Sequence, residues 1–373
     1  MDNIKHLLVK HDSRKVGTLA LYQDKSVAFE YDKQWLVDGF SISPFSLPLE
    51  RKVFIPDSTA IGGLYGVFSD SLPGIWGRLI VDRTLLQQQV NLQNVTSLQR
   101  LALVADGGMG ALEYESNDSV TTPQVSIDLD ELALASMDLL EKKPSDKLAD
   151  FFALSRTSGG AGAKIFVNLN DEDWIVKFPH SYDPANSGQR EYDYAICAKK
   201  CGIIMSEVRL FASALCDGYF ITKRFDRENG VKKHVISANA LLEVPGNKTV
   251  LDYDTLMKLT FKLTKDYSEI EKLYRLMCFN VFSKNRDDHS RNFSFIYNEQ
   301  DVKWELSPAY DLTYSYATTG ERATALLGNR QNPGEKELLE IAKRIGFNSK
   351  KAKIIADDIK DCVHEMLVNY IEN

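Results

Sequence analysis

The chain has 373 residues, of which 44% are hydrophobic and 26% charged, a composition typical of a soluble globular protein and long enough for two or three structural units. Its formal net charge of -7 argues against a chain-wide affinity for nucleic acid. No apolar run is long enough to span a membrane, and residues 1–10 lack the apolar core of a signal peptide.

The five cysteines are odd in number, and none of them form a C-x-x-C pair. We therefore expect reduced core cysteines in a cytoplasmic protein, and neither a disulfide framework nor a zinc site. The cysteines are Cys197, Cys201, Cys216, Cys278 and Cys362.

Residues 1–115 are predicted to form a small β-rich unit. Apolar stretches at 7–9, 16–22 and 27–36 alternate with polar turns, which is typical of successive strands. Pro73 suits the first turn of a helix that runs to about residue 88, and a last strand is expected at 111–114. The polar residues 116–127 are the predicted linker.

The remainder divides into a mixed unit, residues 128–248, and a helical unit, residues 249–373. For the mixed unit the pattern predicts helices at 132–141 and 188–201, and strands at 165–167, 173–178 and 219–225. For the helical unit it predicts helices at 255–263, 270–282, 335–345 and 350–371, with a hairpin at 293–306. Asp254 is the expected cap of the first of these helices, and Ser268 with Glu271 the capping box of the second.

The most informative motif runs from Asp287 to Asn292. An Asp followed four residues later by an Asn has the spacing of a kinase catalytic loop, where the Asp orients the attacking hydroxyl and the Asn holds magnesium. The alternative is a solvated loop, because this spacing is common by chance. Asp288 has the wrong offset to Asn292, and His289 could stabilise phosphate charge or the loop backbone. A metal hydrolase site is disfavoured because three consecutive side chains do not easily converge on one ion.

Asp311 follows the predicted hairpin and could supply a second magnesium ligand beside Asn292, since both offer hard oxygen donors. The alternatives are a turn residue at either position or a helix cap at Asp311. The order of helix, Asp-x4-Asn, hairpin and Asp is more specific for a kinase site than any one of these elements alone.

A phosphate-binding site is predicted in the sequence before the Asp287–Asn292 motif. Lys177 ends an apolar strand and could contact ATP phosphates, with Glu191 as a possible partner; the alternative is a solvent-facing strand lysine. The segment containing Gly159, Gly160, Ala161 and Lys164 could present N–H groups to phosphates. It matches neither Walker A nor G-x-G-x-x-G, so a plain tight turn is the alternative.

Together these segments resemble the HipA family of bacterial serine/threonine kinase toxins over essentially the whole chain. The segments that carry the resemblance are 70–78, 107–112, 159–164, 175–179, 223–227, 287–294 and 306–312. The resemblance implies an α+β, two-lobed, protein-kinase-like fold. It would place an extra N-terminal β subdomain at 1–115, a β-rich N-lobe at 128–248 and a helical C-lobe with a catalytic hairpin at 249–373.

The resemblance also implies ATP and Mg²⁺ as cofactors. It gives Asp287 the catalytic role with His289 beside it, Asn292 and Asp311 the metal, and Lys177 the phosphates. It assigns adenine contacts to the backbone of Lys223 and Phe225, in a hinge that also contains Asp226. The family acts on aminoacyl-tRNA synthetases and pairs with a small helix-turn-helix antitoxin, so DNA would be contacted only through that partner.

The family phosphate loop carries an inhibitory autophosphorylation site, usually serine. Here Thr157 aligns best with that position, and Ser155 and Ser158 are further candidates. The small pair Gly162-Ala163 replaces longer side chains, so a weaker phosphate grip is expected. Two other hypotheses stay open: a pseudokinase that serves as a binding module or corepressor, and a small-molecule kinase, because the phosphoryl-transfer residues do not encode the acceptor.

Overall fold

A computed structural model describes six stretches of the chain. They are residues 4–23, 26–57, 61–115, 127–244, 251–315 and 320–372. Most of the predicted linker at 116–127, and the predicted unit boundary at 248, lie outside these stretches. Within them, no helix is both long and apolar enough to cross a membrane.

The first unit is a five-stranded antiparallel sheet with helices packed on it. The sheet order is β4-β3-β2-β1-β5. The strands are β1 (His6–His11), β2 (Arg14–Tyr22), β3 (Ser26–Tyr31), β4 (Val53–Phe54) and β5 (Leu112–Glu115), and the helices are α1 (Trp35–Asp38), α2 (Gly66–Ser69), α3 (Ile75–Gln87) and α4 (Ser97–Val104).

The predicted strand at 27–36 was too long. It ends at Tyr31 because the Asp32 carboxylate accepts the N–H of Gln34 at 2.9 Å, and the Asp32 carbonyl accepts the N–H of Leu36. These two bonds turn the chain into the short helix α1. Local side-chain hydrogen bonding by Asp commonly ends a strand in this way.

The middle unit is a four-stranded antiparallel sheet in the order β6-β7-β9-β8. Its elements are α5 (Leu129–Leu140), α6 (Leu148–Ser155), β6 (Lys164–Leu169), β7 (Glu172–Lys177), α7 (Ser187–Lys200), β8 (Val208–Phe211) and β9 (Tyr219–Lys223), followed by the hairpin β10 (Arg227–Glu228) and β11 (Val231–Lys232). Trp76 of the first unit packs edge-on against Phe151 of α6, with ring centroids 5.3 Å apart, so the first unit contributes to this core.

The last unit is mainly helical, as predicted, and its hairpin joins a small sheet. Its elements are β12 (Val235–Ser237), α8 (Ala238–Leu241), β13 (Leu251–Asp252), α9 (Tyr253–Thr264), α10 (Tyr267–Phe282), β14 (Ser294–Asn298), β15 (Lys303–Leu306), β16 (Thr324–Ala325), α11 (Glu335–Arg344) and α12 (Ser349–Ile371). The hairpin β14-β15 pairs with β12, and β13 pairs in parallel with β16.

Both predicted caps in this unit were wrong by two residues. The cap of α9 is Asp252, whose carboxylate accepts the N–H of Asp254 at 2.8 Å. The cap of α10 is Asp266, which accepts the N–H of Ser268 at 2.7 Å. In each case an Asp lies just ahead of the predicted start and satisfies an N–H of the first turn.

The first unit is also fixed to the last one. Asp70 accepts hydrogen bonds from the backbone N–H and the hydroxyl of Ser237, at 2.7 and 2.8 Å. A Cβ on Gly66 would lie 2.2 Å from the carbonyl oxygen of Ala240, so only glycine allows α2 to approach α8 this closely. One apolar core therefore runs from the N-terminal sheet to the C-terminal helices.

Candidate active site

Lys177 brings two carboxylates together. It ends β7, and its amino group donates to Glu191 on α7 at 2.5 Å and also contacts Asp311, which lies beyond the hairpin. The predicted Lys177–Glu191 pair is therefore present. The contact with Asp311 joins the sheet of the middle unit to the loop of the helical unit.

A second lysine lies beside the first. Lys164 on β6 is directly opposite Lys177 in the antiparallel register, an arrangement that is unfavourable without nearby negative charge. Burial and the charge of Lys177 lower the pKa of Lys164, although the negative charges of Asp311 and Glu191 oppose this shift. Two facing lysines above two carboxylates form a site that can accept an anion.

The same charges shift the other pKa values of the cluster. Burial works against the charged form of Lys177, but Asp311 and Glu191 outweigh it and raise its pKa. Burial likewise works against ionised Asp311, but Lys177 and Lys164 outweigh it and hold its pKa well below the usual range. Burial raises the pKa of Glu191. Asp311 is therefore the firmly ionised carboxylate, as a metal ligand must be.

Asp311 has a left-handed backbone, with φ of 53°. This conformation is uncommon for a residue other than glycine and marks local constraint. The preceding Tyr310 ring stacks on Phe225 at 5.5 Å, and the Tyr310 hydroxyl donates to the carbonyl of Arg291 at 2.7 Å. These contacts fix the turn on which Asp311 sits.

Asp287 is exposed at the edge of its loop and is held through its backbone. Its N–H donates to the Ser315 hydroxyl at 3.0 Å, and its carbonyl accepts the side-chain N–H of Asn292 at 2.8 Å. Partial loss of hydration raises the pKa of Asp287; the charge of Asp311 adds to the rise, and His289 opposes it. Asp287, His289 and Asp311 are thus electrostatically close, and Asn292 is bound to the same loop.

Asp288 has a different environment. It is buried, with its carboxylate accepting from Arg322 at 2.6 Å and from the Tyr253 hydroxyl at 2.8 Å, and the Thr324 N–H donates to it at 3.1 Å. This network anchors the loop to α9 and β16. Spacing favoured Asp287 over Asp288 as the catalytic residue, and the sequence did not reveal that Arg322 pairs with Asp288.

The glycine loop rests on the first unit. The N–H of Gly74 donates to the carbonyl of Ser158 at 2.9 Å, and the N–H of Trp76 donates to the carbonyl of Gly160 at 3.2 Å. A Cβ on Gly77 would lie 2.8 Å from the Ser158 carbonyl oxygen. Sequence reasoning missed this role of Gly74 and Gly77; their spacing of three residues near a helix start was the available signal.

The far side of the loop is open. A Cβ on Gly159 or Gly162 would meet no atom of the described residues within 4 Å, whereas one on Gly160 would meet the Lys164 ammonium at 2.9 Å. Ala161 between them is exposed. The loop therefore has one face against the protein and one face available to a ligand.

The three hydroxyls of this region are buried. Ser155 accepts from the indole N–H of Trp76 at 3.2 Å and donates to the Phe151 carbonyl. Thr157 donates to the Gly107 carbonyl at 2.8 Å. The Ser158 hydroxyl is buried and makes no hydrogen bond within the described residues. None of the three can receive a phosphate unless the loop leaves this position.

In the predicted hinge, the Lys223 side chain is half-buried and the Asp226 side chain is buried. The amino group of Lys223 donates to Glu172 at 2.5 Å, and its backbone N–H donates to the Glu207 carbonyl. Asp226 is buried and bonded to Arg224, to Arg227 and to the N–H of Gly110. The structure thus does not place the Asp226 carboxylate for a cofactor contact; it joins the hinge to the first unit.

The donors around Asp311 have the chemistry that magnesium needs. Asp311 and Asp287 offer carboxylate oxygens, and Asn292 uses its amide nitrogen in the loop, which leaves its oxygen as the ligand atom. The charge of Asp311 raises the pKa of Asp287, and a cation between them would relieve that repulsion. This donor set fits the predicted ion.

Two family models match the chain. The HipA N-terminal domain matches residues 7–115, and the HipA-like C-terminal domain matches residues 157–367. The second match alone covers more than half of the chain.

Two relatives agree with these matches. The Sinorhizobium fredii protein Y4mE, described as a candidate kinase, is 24% identical over 355 residues, covering 88% of this chain and 82% of the relative. HipA of Shewanella oneidensis, solved in a complex with HipB and operator DNA, has a TM-score of 0.71 at 17% identity and covers 98% of this chain and 91% of its own. The predicted two-lobed, kinase-like α+β fold is confirmed by this likeness.

Proposed function

The chain belongs to the HipA family of kinase-like toxins, and from that premise we propose that it is an ATP- and Mg²⁺-dependent protein kinase that phosphorylates serine or threonine. The observation that carries the proposal is the position of Lys177 between Glu191 and Asp311, with Lys164 facing it. Kinases need a lysine held in this way and an ionised carboxylate beside it.

Each residue has a role that its environment supports. Lys177 and Lys164 would bind phosphate oxygens, and the contact with Glu191 orients the amino group of Lys177. Asp311 and the amide oxygen of Asn292 would hold Mg²⁺, which when bound neutralises negative charge on the phosphates. The glycine loop offers backbone N–H groups on its open face.

Asp287 is the group that takes the proton of the attacking hydroxyl. It is exposed, so an acceptor side chain can reach it, and its backbone is fixed on both sides. Partial burial raises the pKa of Asp287, which makes its carboxylate a better proton acceptor. His289, in the same loop, acts on Asp287 in the opposite direction to burial and lowers its pKa.

The protein substrate and the binding partner are proposed on the basis of the family to which the chain belongs. We propose a translation factor, such as an aminoacyl-tRNA synthetase, as the substrate, and one of Thr157, Ser155 or Ser158 as the autophosphorylated residue. Because all three hydroxyls are buried, autophosphorylation requires the loop to detach from Gly74 and Trp76. The Shewanella complex supports a small antitoxin as partner, with DNA bound through it.

The test combines purified protein, Mg-ATP and a panel of bacterial aminoacyl-tRNA synthetases, followed by phosphopeptide mapping. The proposal predicts phosphate on one synthetase and on residues 155–158, and loss of both with Asp287→Asn. Asp301→Asn is the matched control, because Asp301 is an exposed loop aspartate in the same lobe. Nucleotide binding without phosphate transfer would support the alternative of a pseudokinase that serves as a binding module. Phosphate transfer only to a small molecule would support the alternative of a small-molecule kinase.

A further inference from the structure

Three of the five cysteines converge where α7 meets α12. Cys197 and Cys201 lie one turn apart at the end of α7, and Cys362 lies on α12. Their sulfur atoms are all within 4.8 Å of one another. Within the described stretches, no other group of three or more His, Cys, Asp or Glu side chains places its ligand atoms this close together.

A fourth sulfur lies next to them. Met366, one turn beyond Cys362 on α12, has its thioether 4.0 Å from the Cys362 thiol. The Cys197 thiol lies 3.9 Å from the Cys362 carbonyl oxygen. Buried cysteines usually pack as separate small apolar groups, so three mutually close thiols with a thioether beside one of them are a distinct arrangement.

The dimensions suit a metal ion. Zinc–thiolate bonds of about 2.3 Å place tetrahedral sulfurs about 3.8 Å apart, so the thiols need to move by no more than about 1 Å. No disulfide links them; all three cysteines are free. The carbonyl groups at the C-terminal end of α7 also favour a positive charge there.

Access and proton balance are compatible with binding. Cys362 and Met366 are half-buried, and Met366 lines a cavity of about 440 Å³ together with Arg190, Asp193 and Tyr370. Cysteine binds a metal ion as the thiolate, so binding at this site would release the thiol protons to solvent.

We propose that Cys197, Cys201 and Cys362, together with Met366, bind one thiophilic d¹⁰ cation, Zn²⁺ or Cu⁺. Thiolate and thioether ligands select these ions. The site is separate from the proposed kinase chemistry, and it departs from the expectation, based on cysteine spacing, that these residues form no zinc site. Sequence spacing could not indicate it, because the third cysteine comes from a helix near the other end of the chain.

The first test uses the wild-type chain and the half-buried Cys216 as internal control. The reduced, metal-free protein is titrated with Zn²⁺ or with Cu⁺, and cysteine alkylation is followed by mass spectrometry. The proposal predicts one equivalent bound by at least one of the two ions, with slower alkylation of Cys362 and an unchanged rate at Cys216. No bound equivalent with either ion, or equal protection of both cysteines, would overturn it.

The second test uses variants and a Cd²⁺ probe, whose thiolate complexes absorb in the ultraviolet. Cys362→Ser and Cys197→Ser should lose the absorption band and the rise in melting temperature on metal addition, while Cys216→Ser keeps both. Should a serine variant fail to fold, Met366→Leu, which conserves volume, is measured instead and should bind Cu⁺ more weakly than wild type. Full binding by Cys362→Ser, or unchanged Cu⁺ affinity in Met366→Leu, would contradict the site.

Discussion

The backbone N–H of Gly74 donates to the carbonyl oxygen of Ser158 at 2.9 Å, so the first unit holds the glycine loop from behind. A Cβ on Gly74 would lie 2.4 Å from the backbone nitrogen of Gly160, a separation that real contacts do not reach. The position of the loop, and with it the proposed contact with phosphate, therefore depends on a residue outside the two lobes.

We predict that Gly74→Ala displaces the glycine loop and raises the KM for ATP. Overpacking of this kind costs about 1–3 kcal/mol, measurable as a lower free energy of unfolding in urea. Gly334→Ala is the control, because Gly334 lies outside the glycine loop and its Cβ would meet no atom of the described residues within 4 Å. An equal effect of the two substitutions would show that the contact with the first unit does not set the loop.

The Lys177–Glu191 pair should matter for turnover. Glu191→Gln keeps the shape but removes the charge that orients Lys177, and misplacement of a positioned group by about 1 Å can cost about 10²-fold in rate. We predict a loss of that order in kcat/KM for phosphoryl transfer. Glu172→Gln is the control: it breaks the more exposed pair with Lys223, which should change the rate little.

The buried Arg322–Asp288 pair should dominate the stability of the loop that carries Asp287. Both side chains are almost fully buried, and removing one partner of such a pair costs about 3–5 kcal/mol. We predict a loss of that size for Arg322→Met in denaturant unfolding. Arg344→Met, which breaks the exposed pair with Glu340, should cost less than about 1 kcal/mol; similar losses in both variants would refute the assignment.

Stability should fall on mild acidification because of His234. Burial lowers its pKa to about 3 from the ordinary 6.5, and its ring is bonded to the Ile42 carbonyl at 2.8 Å. The unfolded chain then takes up the proton first, so this contribution is complete above pH 6.5 and is lost progressively as the pH falls toward 3. Between pH 7 and 5 we expect a loss of about 2 kcal/mol in the free energy of unfolding.

The control for this pH effect must account for the neighbours of His234. His11 lies beside it, with its own pKa also lowered by burial and opposed by Glu299. His234→Gln should remove most of the fall, whereas His364→Gln, at an exposed position, should keep it. An unchanged fall in His234→Gln would mean that other groups cause it.

The sequence predicted many of the elements but not α4, α6 or β8, and it predicted the ends of elements less well. Periodicity located both C-terminal helices and the hairpin, because these patterns repeat over many residues. It missed the end of β3 at Tyr31 and the caps Asp252 and Asp266, because one side-chain hydrogen bond decides each boundary and several nearby residues could make it.

The candidate site shows a similar division. Spacing within one loop selected Asp287 and Asn292, and the structure places both in that loop. Spacing could not reveal that Arg322 pairs with Asp288. It also could not reveal that Arg224 and Arg227 enclose Asp226, or that Gly74 donates a hydrogen bond to Ser158. Each of these contacts joins distant parts of the chain, and local pattern carries no information about them.

The most direct test of the account is intact-mass spectrometry of dephosphorylated protein incubated with Mg-ATP and the synthetase panel. Wild type and Asp301→Asn should add phosphate to the chain or to a synthetase, and Asp287→Asn should add none, because the proposed proton acceptor is missing. Phosphate transfer by Asp287→Asn at the wild-type rate, or no transfer by wild type to any protein, would contradict the proposed kinase function.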